Sequence, residues 1–492
     1  MIPVLTKEQA YELDKSTIES GLMTERELID NAGYSIACHI LENFKSPFNL
    51  KIGIVVGKGN NGSDGIVLHY YLSKWNCKSE LILINERLRQ SKVLHDYGIP
   101  FTDIKVYTEE LDFNQFDLVI DAILGIGNNR KLDKKLVDLI EKINISKNLI
   151  SIDMPSGLMT NSGKMKDFSV FSRQTHTMGY PKLAHFINDG LVTVGELQIH
   201  DIGFPDFYPV KFSLIEELDI YELIEITHPN VHKYSKGKLL VIGGSEKYSG
   251  AAELVSMAGF RSGAGYLKLI VPDEIKKSIN SNYPELIVIK YNKSELEELV
   301  KWSDAVVLGP GLEIDFIEIK SILDEIKKQD KPIVIDASIF DFFNKELNIK
   351  DCPKRTIFTP HNGELKMFYS NSNYDFVNEP ILFLEEFIDY LQGRYCLIKG
   401  QPNFLVNSDG SINLMSHGST VLATAGTGDV LSGLIGGLLA QGYNESVAMQ
   451  LGSWIHAESA LIFTENYGRE GMVASDLLSY IPLAFEKYIN AK

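Results

Sequence analysis

The 492 residues exceed what one ordinary hydrophobic core organises, so two domains are expected, and 44% apolar with 23% charged residues excludes a disordered chain. A formal charge of −17 argues against non-specific binding to nucleic acid or an anionic membrane, yet leaves room for a local basic funnel for phosphorylated metabolites. Cys38, Cys77, Cys352 and Cys396 are scattered without ligand spacing, which suggests neither a structural zinc nor a disulfide framework. Met1 to Leu5 run at once into Thr6-Lys7-Glu8-Gln9, without the apolar core of a signal peptide, and no run reaches membrane-spanning length. The expectation is a cytoplasmic protein.

In the first half, strand-like runs at 51–56, 81–84, 118–120 and 149–152 alternate with helical stretches, the pattern of a parallel sheet covered by helices. Ligands in such sheets sit at the carboxyl ends of strands. The first run enters Gly57-Lys58-Gly59-Asn60-Asn61-Gly62-Ser63-Asp64-Gly65, and a helix is expected to begin near Ile66. Gly57, Gly59 and Gly62 fit GxGxxG in the strand–turn–helix context of a dinucleotide-type ligand. Asn60, Asn61 and Asp64 add oxygens that an ordinary hydride-transfer site does not need. Asp121 and Asp153 head the next two loops. Taken singly, each reads as a helix cap. Taken together, Asn61, Asp121 and Ser156 can hold a hard cation and leave Asp153 free for proton chemistry.

These motifs resemble the NAD(P)H-hydrate epimerases over most of residues 1–215. The likeness is carried by Asp30-Asn31-Ala32-Gly33, NNGSDG, DAILGIG, DMPSG, Thr177-Met178-Gly179 and Asp201-Ile202-Gly203-Phe204-Pro205. The resemblance implies substrate contacts at Asn60, Asn61, Gly62, Ser63, Asp64, Gly125, Ile126, Gly127, Asn128, Asn129, Arg130, Lys131 and Asp153. It also implies potassium on Asn61, Asp121 and Ser156, and acid/base work by Asp153. Ser63 stands where the family usually has Gly, and costs backbone freedom if φ is positive there. Thr177-Met178-Gly179 replaces a usual TFG. A non-catalytic relative serving RNA-associated assembly is disfavoured by the presence of Asp121, Asp153 and Ser156.

The domain boundary is expected near Thr227-His228-Pro229-Asn230, giving domains 1–225 and 226–492. Beyond it, runs at 239–242, 267–271, 305–308, 333–335 and 395–398 repeat the alternation. Tyr248-Ser249-Gly250-Ala251-Ala252 opens a small-residue helix that a flat ring could approach. Gly309-Pro310-Gly311, Thr359-Pro360-His361-Asn362-Gly363-Glu364 and Lys399-Gly400 close later strands. His361 could donate to a ligand, or cap its own turn. Lys399 could place its ammonium on nucleotide phosphates. In Ala425-Gly426-Thr427-Gly428-Asp429, N–H groups of Gly426, Thr427 and Gly428 would converge at the positive end of a helix, with Asp429 facing the phosphoryl group as a base.

This arrangement resembles the ribokinase-like superfamily, and within it residues 230–490 are similar to the nucleotide-dependent NAD(P)H-hydrate dehydratases. The resemblance implies that Ala251, Gly311, His361 and Asp429 contact the hydrated nicotinamide nucleotide. Lys399, Gly400, Gln401, Pro402, Asn403, Gly426, Thr427 and Gly428 would hold ADP with magnesium. Departures are Asn403 for a usual Thr, Asp336-Ala337-Ser338 for DAD, and Gly418-Ser419-Thr420-Val421-Leu422 for a GNPGM-like turn. The whole reads as α/β, a Rossmann-like three-layer domain followed by a ribokinase-like one. The expected activity is repair of hydrated NADH and NADPH by epimerisation and ADP-driven dehydration, in a homo-oligomer without nucleic-acid or membrane partners. The alternative is a vitamin-precursor kinase with an accessory nucleotide-binding domain.

Overall fold

A computed structural model describes residues 1–490 except 128–131, 206–208, 227–231, 233 and 344. Two compact units emerge: Pro3–Phe212 with Tyr374–Ile381, and Met1–Ile2 with Ser213–Asn373 and Leu382–Lys492. The junction expected at Thr227 to Asn230 lies outside the described residues. Among the described residues no helix is long and apolar enough to cross a membrane.

The first unit is built on seven parallel strands: β1 (Lys51–Val56), β2 (Lys78–Leu83), β3 (Ile104–Val106), β4 (Leu118–Ala122), β5 (Leu149–Ile152), β6 (Gln174–Met178) and β7 (Glu196–His200). Their spatial order is β3-β2-β1-β4-β5-β6-β7, so the winding reverses between β1 and β4. A crevice opens at such a reversal, beyond the carboxyl ends of the two strands. Side chains of β1 alternate between two apolar layers. Ile52, Ile54 and Val56 meet Ile36 and Ile40 of α2 (Glu25–Asn43) and Leu68 and Leu72 of α3 (Asn60–Lys74). Val55 points the other way, towards Phe113 and towards Leu139 and Ile140 of α4 (Lys134–Ile143). The unit therefore has three layers. One further helix, α1 (Lys7–Glu19), starts at a capping box between Thr6 and Gln9.

α3 begins at Asn60, not near Ile66. Gly59 ends the turn with φ at +112°, a conformation glycine adopts without a Cβ penalty, and the chain winds immediately. Asn60, Asn61, Ser63 and Asp64 thus occupy the first helical turn. Ser63 is not at positive φ, so the strain considered for it does not arise; its hydroxyl bonds Gly59 O at 3.3 Å.

The second unit holds nine strands of an eleven-stranded sheet: β8 (Lys238–Ile242), β9 (Tyr266–Val271), β10 (Ile287–Lys290), β11 (Ala305–Leu308), β12 (Ile333–Ile335), β13 (Thr356–Phe358), β14 (Tyr395–Ile398), β15 (Asn403–Val406) and β16 (Ile412–Met415). They run β16-β15-β14-β13-β12-β11-β8-β9-β10. β8 to β14 are parallel, but β15 and β16 pair antiparallel with their neighbours. Asn407 to Ser411, closed by Asn407 N to Ser411 O at 2.9 Å, is too short for a crossover, so the chain must double back. Helix α5 (Ser249–Arg261) follows β8, and a short helix, α6 (Asn362–Phe368), follows β13. Helices α7 (Thr427–Ala440) and α8 (Glu445–Tyr467) come later, and α7 is buried from Val430 to its end. A Cβ on Gly433 would stand 2.2 Å from Val255 O, so α7 and α5 touch backbone to backbone.

Candidate functional site

In the first unit a cavity of about 410 Å³ opens at the carboxyl ends of β1, β4 and β5. Asn60, Asn61, Asp64, Gly125, Ile126, Gly127 and Asp153 line it. Gly62 and Ser63 do not: a Cβ on Gly62 would stand 2.1 Å from Gly57 O, so that residue serves close packing. Asn128, Asn129, Arg130 and Lys131 lie outside the described residues.

Asp121, fully buried, accepts from Ser156 Oγ at 2.7 Å, Ser156 N at 2.8 Å, Ser151 Oγ at 2.9 Å and Ile123 N at 3.1 Å. Ser156 Oγ in turn accepts from Leu124 N at 2.9 Å. Burial still pushes the Asp121 carboxyl above its ordinary range. Both polar atoms of the Asn61 side chain are buried without a hydrogen-bond partner among the described residues. The orphaned Asn61 amide is what a cation would satisfy, since it gives the oxygen a partner, whereas Asp121 and Ser156 already bond each other and do not line the cavity.

Asp153 sits at φ +62°, a strained conformation for a non-glycine residue. Its N–H donates to His176 O at 2.7 Å and its carbonyl accepts from His185 Nε2 at 2.9 Å. His185 Nδ1 accepts from Lys182 N at 3.1 Å, which fixes the tautomer, and burial holds that ring neutral with a pKa of about 4. Lys182, almost fully buried, places Nζ 2.5 Å from Asp153 Oδ1 and 2.8 Å from Thr177 Oγ1. Burial alone would raise the Asp153 carboxyl, but the Lys182 ammonium outweighs it and holds the group below its ordinary range. Asp153 is therefore an anion. Asp64 is pushed well above its ordinary range by burial and then by Asp153, and Asp14 to about 6, again chiefly by burial.

In the second unit Gly426 adopts φ +90° and no side chain caps α7; Thr427 N donates to Thr424 O at 3.4 Å, while the N–H groups of Gly428 and Asp429 have no partner among the described residues and stay open for an anion. Thr427 closes the turn instead: its hydroxyl donates to the carbonyls of Leu422 and Thr424 at 2.9 Å each. Burial first, then Asp336, pushes the Asp429 carboxyl to about 7, with Lys399 opposing. Lys399 does not stand free for phosphates. Its ammonium is 2.9 Å from Asp336 Oδ1 and 3.7 Å from Glu364 Oε2. Asp336 also accepts from Ser432 Oγ at 2.5 Å and Ala337 N at 2.9 Å. A Cβ on Gly428 would stand 3.4 Å from Lys399 Nζ, so the GTG turn and this cluster adjoin.

His361 caps α6, Nδ1 accepting from Gly363 N at 2.9 Å and Glu364 N at 3.2 Å. That places the proton on Nε2, so capping and donation to a ligand are compatible. Asn403 Oδ1 accepts from Gly400 N at 3.0 Å and closes the turn through Gln401 and Pro402. Gln401 Nε2 donates to Ser416 O at 3.0 Å. Gly311, at φ +67°, comes against Ala251, where an added Cβ would meet the alanine methyl at 3.0 Å. Ser338, which replaces the second Asp of DAD, bonds Gly309 O at 3.0 Å.

Sequence patterns missed Lys182, His185, Tyr11 and Asp14 in the first site and Asp336, Glu364 and Ser432 in the second. Asp336 had a signal, since it follows β12 as Asp121 and Asp153 stand at their strand ends. Lys182 had none, because β6 before it reads Gln-Thr-His-Thr-Met and lacks an apolar run.

Residues 239–483 match the family described as NAD(P)H-hydrate dehydratase, and residues 25–184 match the family described as YjeF-related protein N-terminus. Among solved structures, the ADP/ATP-dependent NAD(P)H-hydrate dehydratase from Bacillus subtilis, co-crystallised with ATP and magnesium, superposes at a TM-score of 0.50 with 24% identity, over 56% of this chain and 97% of its own. A ribokinase-like superfamily protein from Enterococcus faecalis gives 0.51 at 22% identity, over 58% and 99%. These establish the ribokinase-like fold of the second unit. The bifunctional NAD(P)H-hydrate repair enzyme of Thermofilum pendens is 28% identical over 96% of this chain and 94% of its own. That of Dictyoglomus turgidum is 31% identical over 94% of this chain and 95% of its own, and with both units matched end to end the chain belongs to the bifunctional NAD(P)H-hydrate repair enzyme family.

Proposed function

We propose that the first unit interconverts the R and S forms of hydrated NADH and NADPH, and that the second dehydrates the S form at the expense of a nucleotide. The reading rests on Asp429, a carboxyl with a pKa of about 7 beside an uncapped helix start. A base that titrates near neutrality can take the proton of a carbinol as its oxygen attacks a phosphoryl group, and open N–H groups stabilise the charge that develops. Phosphorylation matters because hydroxide is a poor leaving group. Phosphate then departs and the dihydronicotinamide returns. The test is absorbance at the reduced-nicotinamide band with a mixed-epimer hydrate, with and without nucleotide. Recovery of absorbance with release of phosphate supports repair, whereas a stable phosphorylated alcohol indicates the kinase reading.

ADP, carried with magnesium, is the donor expected from the fusion of both domains in one chain. Turnover measured side by side with ADP and ATP, free of contaminating kinase, gives the higher kcat/KM to ADP; the reverse order overturns this choice.

Asn61, Asp121 and Ser156 would hold potassium, which would supply a positive charge to the site. Mixed neutral and anionic oxygens suit a weakly hydrated monovalent ion better than a compact octahedral one. Epimerisation is expected to fall when potassium is replaced by a large organic cation, and magnesium is expected not to restore it. Anomalous scattering that shows octahedral magnesium, or only water, at these residues counts against the assignment.

A further inference from the structure

One wall of the first cavity comes from α1, which lies outside residues 25–184. It presents Tyr11 and Asp14, about one turn apart. The helix is tied to the segment that carries Lys182. Leu5 N donates to Pro181 O at 2.9 Å and Leu183 N to Leu5 O at 3.0 Å, while Lys7 N donates to Asn161 Oδ1 at 2.8 Å. Leu5, Ala10 and Leu13 pack with Ile126, Tyr180 and Phe204. So anchored, Asp14 faces the same space as Asp153, and its carboxyl takes no hydrogen bond from any described residue.

Building on the epimerase reading of this site, we propose that Asp14 is a second catalytic residue, which protonates the departing hydroxyl of the hydrate while Asp153 deprotonates the water that replaces it on the opposite face.

Hydration of a dihydronicotinamide puts the hydroxyl on the carbon bonded to the ring nitrogen, because that nitrogen stabilises positive charge there. Inversion by loss and return of water follows the same route. The C–O bond breaks as its oxygen takes the Asp14 proton and leaves as water, and the nitrogen lone pair forms the C=N bond of a cation. Water adding to the other face makes the new C–O bond, returns the electron pair to nitrogen and gives its proton to the Asp153 carboxylate. The Asp14 carboxylate and Asp153 acid left behind exchange a proton through solvent in the cavity. Departure needs an acid and return needs a base, so two groups of opposite protonation are required. Lys182 keeps Asp153 anionic. Among the described residues, the titratable side chains facing the space around Asp14 are Tyr11 on its own helix, Glu25, Lys58, Asp64, Asp153 and Lys182. Together with burial they leave Asp14 with a pKa of about 6, able to give a proton and regain one from solvent. Burial raises the Asp64 carboxyl as well.

The experiment uses full-length wild type, Asp14→Asn and Asp14→Glu with pure R hydrate in ¹⁸O-labelled water, without nucleotide, against the uncatalysed rate. Asp14→Asn is expected to lower kcat for inversion by about 10²-fold or more with little change in KM, and to lose the alkaline limb of the pH profile. Asp14→Glu, which keeps the acid, is expected to recover part of the rate and to keep that limb. Wild type is expected to install one solvent oxygen per inversion. The circular dichroism spectrum and the Tm of each variant, compared with wild type, report an intact first unit. Inversion by Asp14→Asn within threefold of wild type, an alkaline limb absent from Asp14→Glu, or product that keeps its original oxygen each overturn the role of Asp14. A wild type that does not accelerate inversion at all overturns the epimerase reading, and this proposal with it.

Discussion

Asp429→Asn is expected to abolish dehydration while leaving epimerisation at the wild-type rate. The substitution keeps the size of the side chain and the start of α7, and removes only the group that can accept a proton. Loss of one general base costs about 10²–10⁴-fold in rate. The two units have separate apolar cores, so the first site has no reason to respond. Because the base must be deprotonated and its pKa is about 7, wild-type dehydration is expected to fall as pH drops through neutrality. The variant's residual rate is expected to lack that limb. Dehydration by the purified variant within tenfold of wild type sinks the assignment.

With ADP present, the intact chain is expected to convert both epimers to reduced cofactor, whereas Asp153→Asn consumes the S form at normal speed and then stalls. A shaped alcohol-phosphorylating pocket presents one configuration of the carbinol to Asp429 and the phosphoryl donor at attack distance. Inversion must therefore take place elsewhere. Asparagine at 153 would also leave Lys182 buried beside a neutral amide, a costly arrangement, so the Tm of the variant is expected to fall as well. Spontaneous epimerisation blurs the plateau, and the decisive quantity is the slow-phase rate as enzyme is added. If that phase accelerates with the variant as it does with wild type, Asp153 is not the acid/base.

What could be read from the chain divides along a physical line. Buried parallel strands are continuous apolar runs, so β1, β5, β11, β12 and β14 are visible at their full length. β6 and β7 are polar, and they surface only through pairing. Loops after visible strands were found with them, which is why Asp121, Asp153 and Gly311 could be named, whereas Asp429 was legible from its own glycine-rich turn. Lys182, Asp14 and Glu364 act through partners far away in sequence, and no local pattern encodes such a meeting. The start of α3 was misplaced for a related reason: Asn, Ser and Asp favour turns and helix starts alike, and only the φ of Gly59 separates the two.

The backbone contact between α5 and α7 has a consequence for how this chain can change. α7 carries Asp429, α5 carries Ala251, and Gly433 and Gly437 seat one against the other with no room for a methyl group. The base and the wall beside it are thus one solid piece. Mutation cannot retune one and spare the other, so drift towards a different alcohol has to enter through the loops after β13 and β14, where His361, Asn362, Gly400 and Gln401 are exposed.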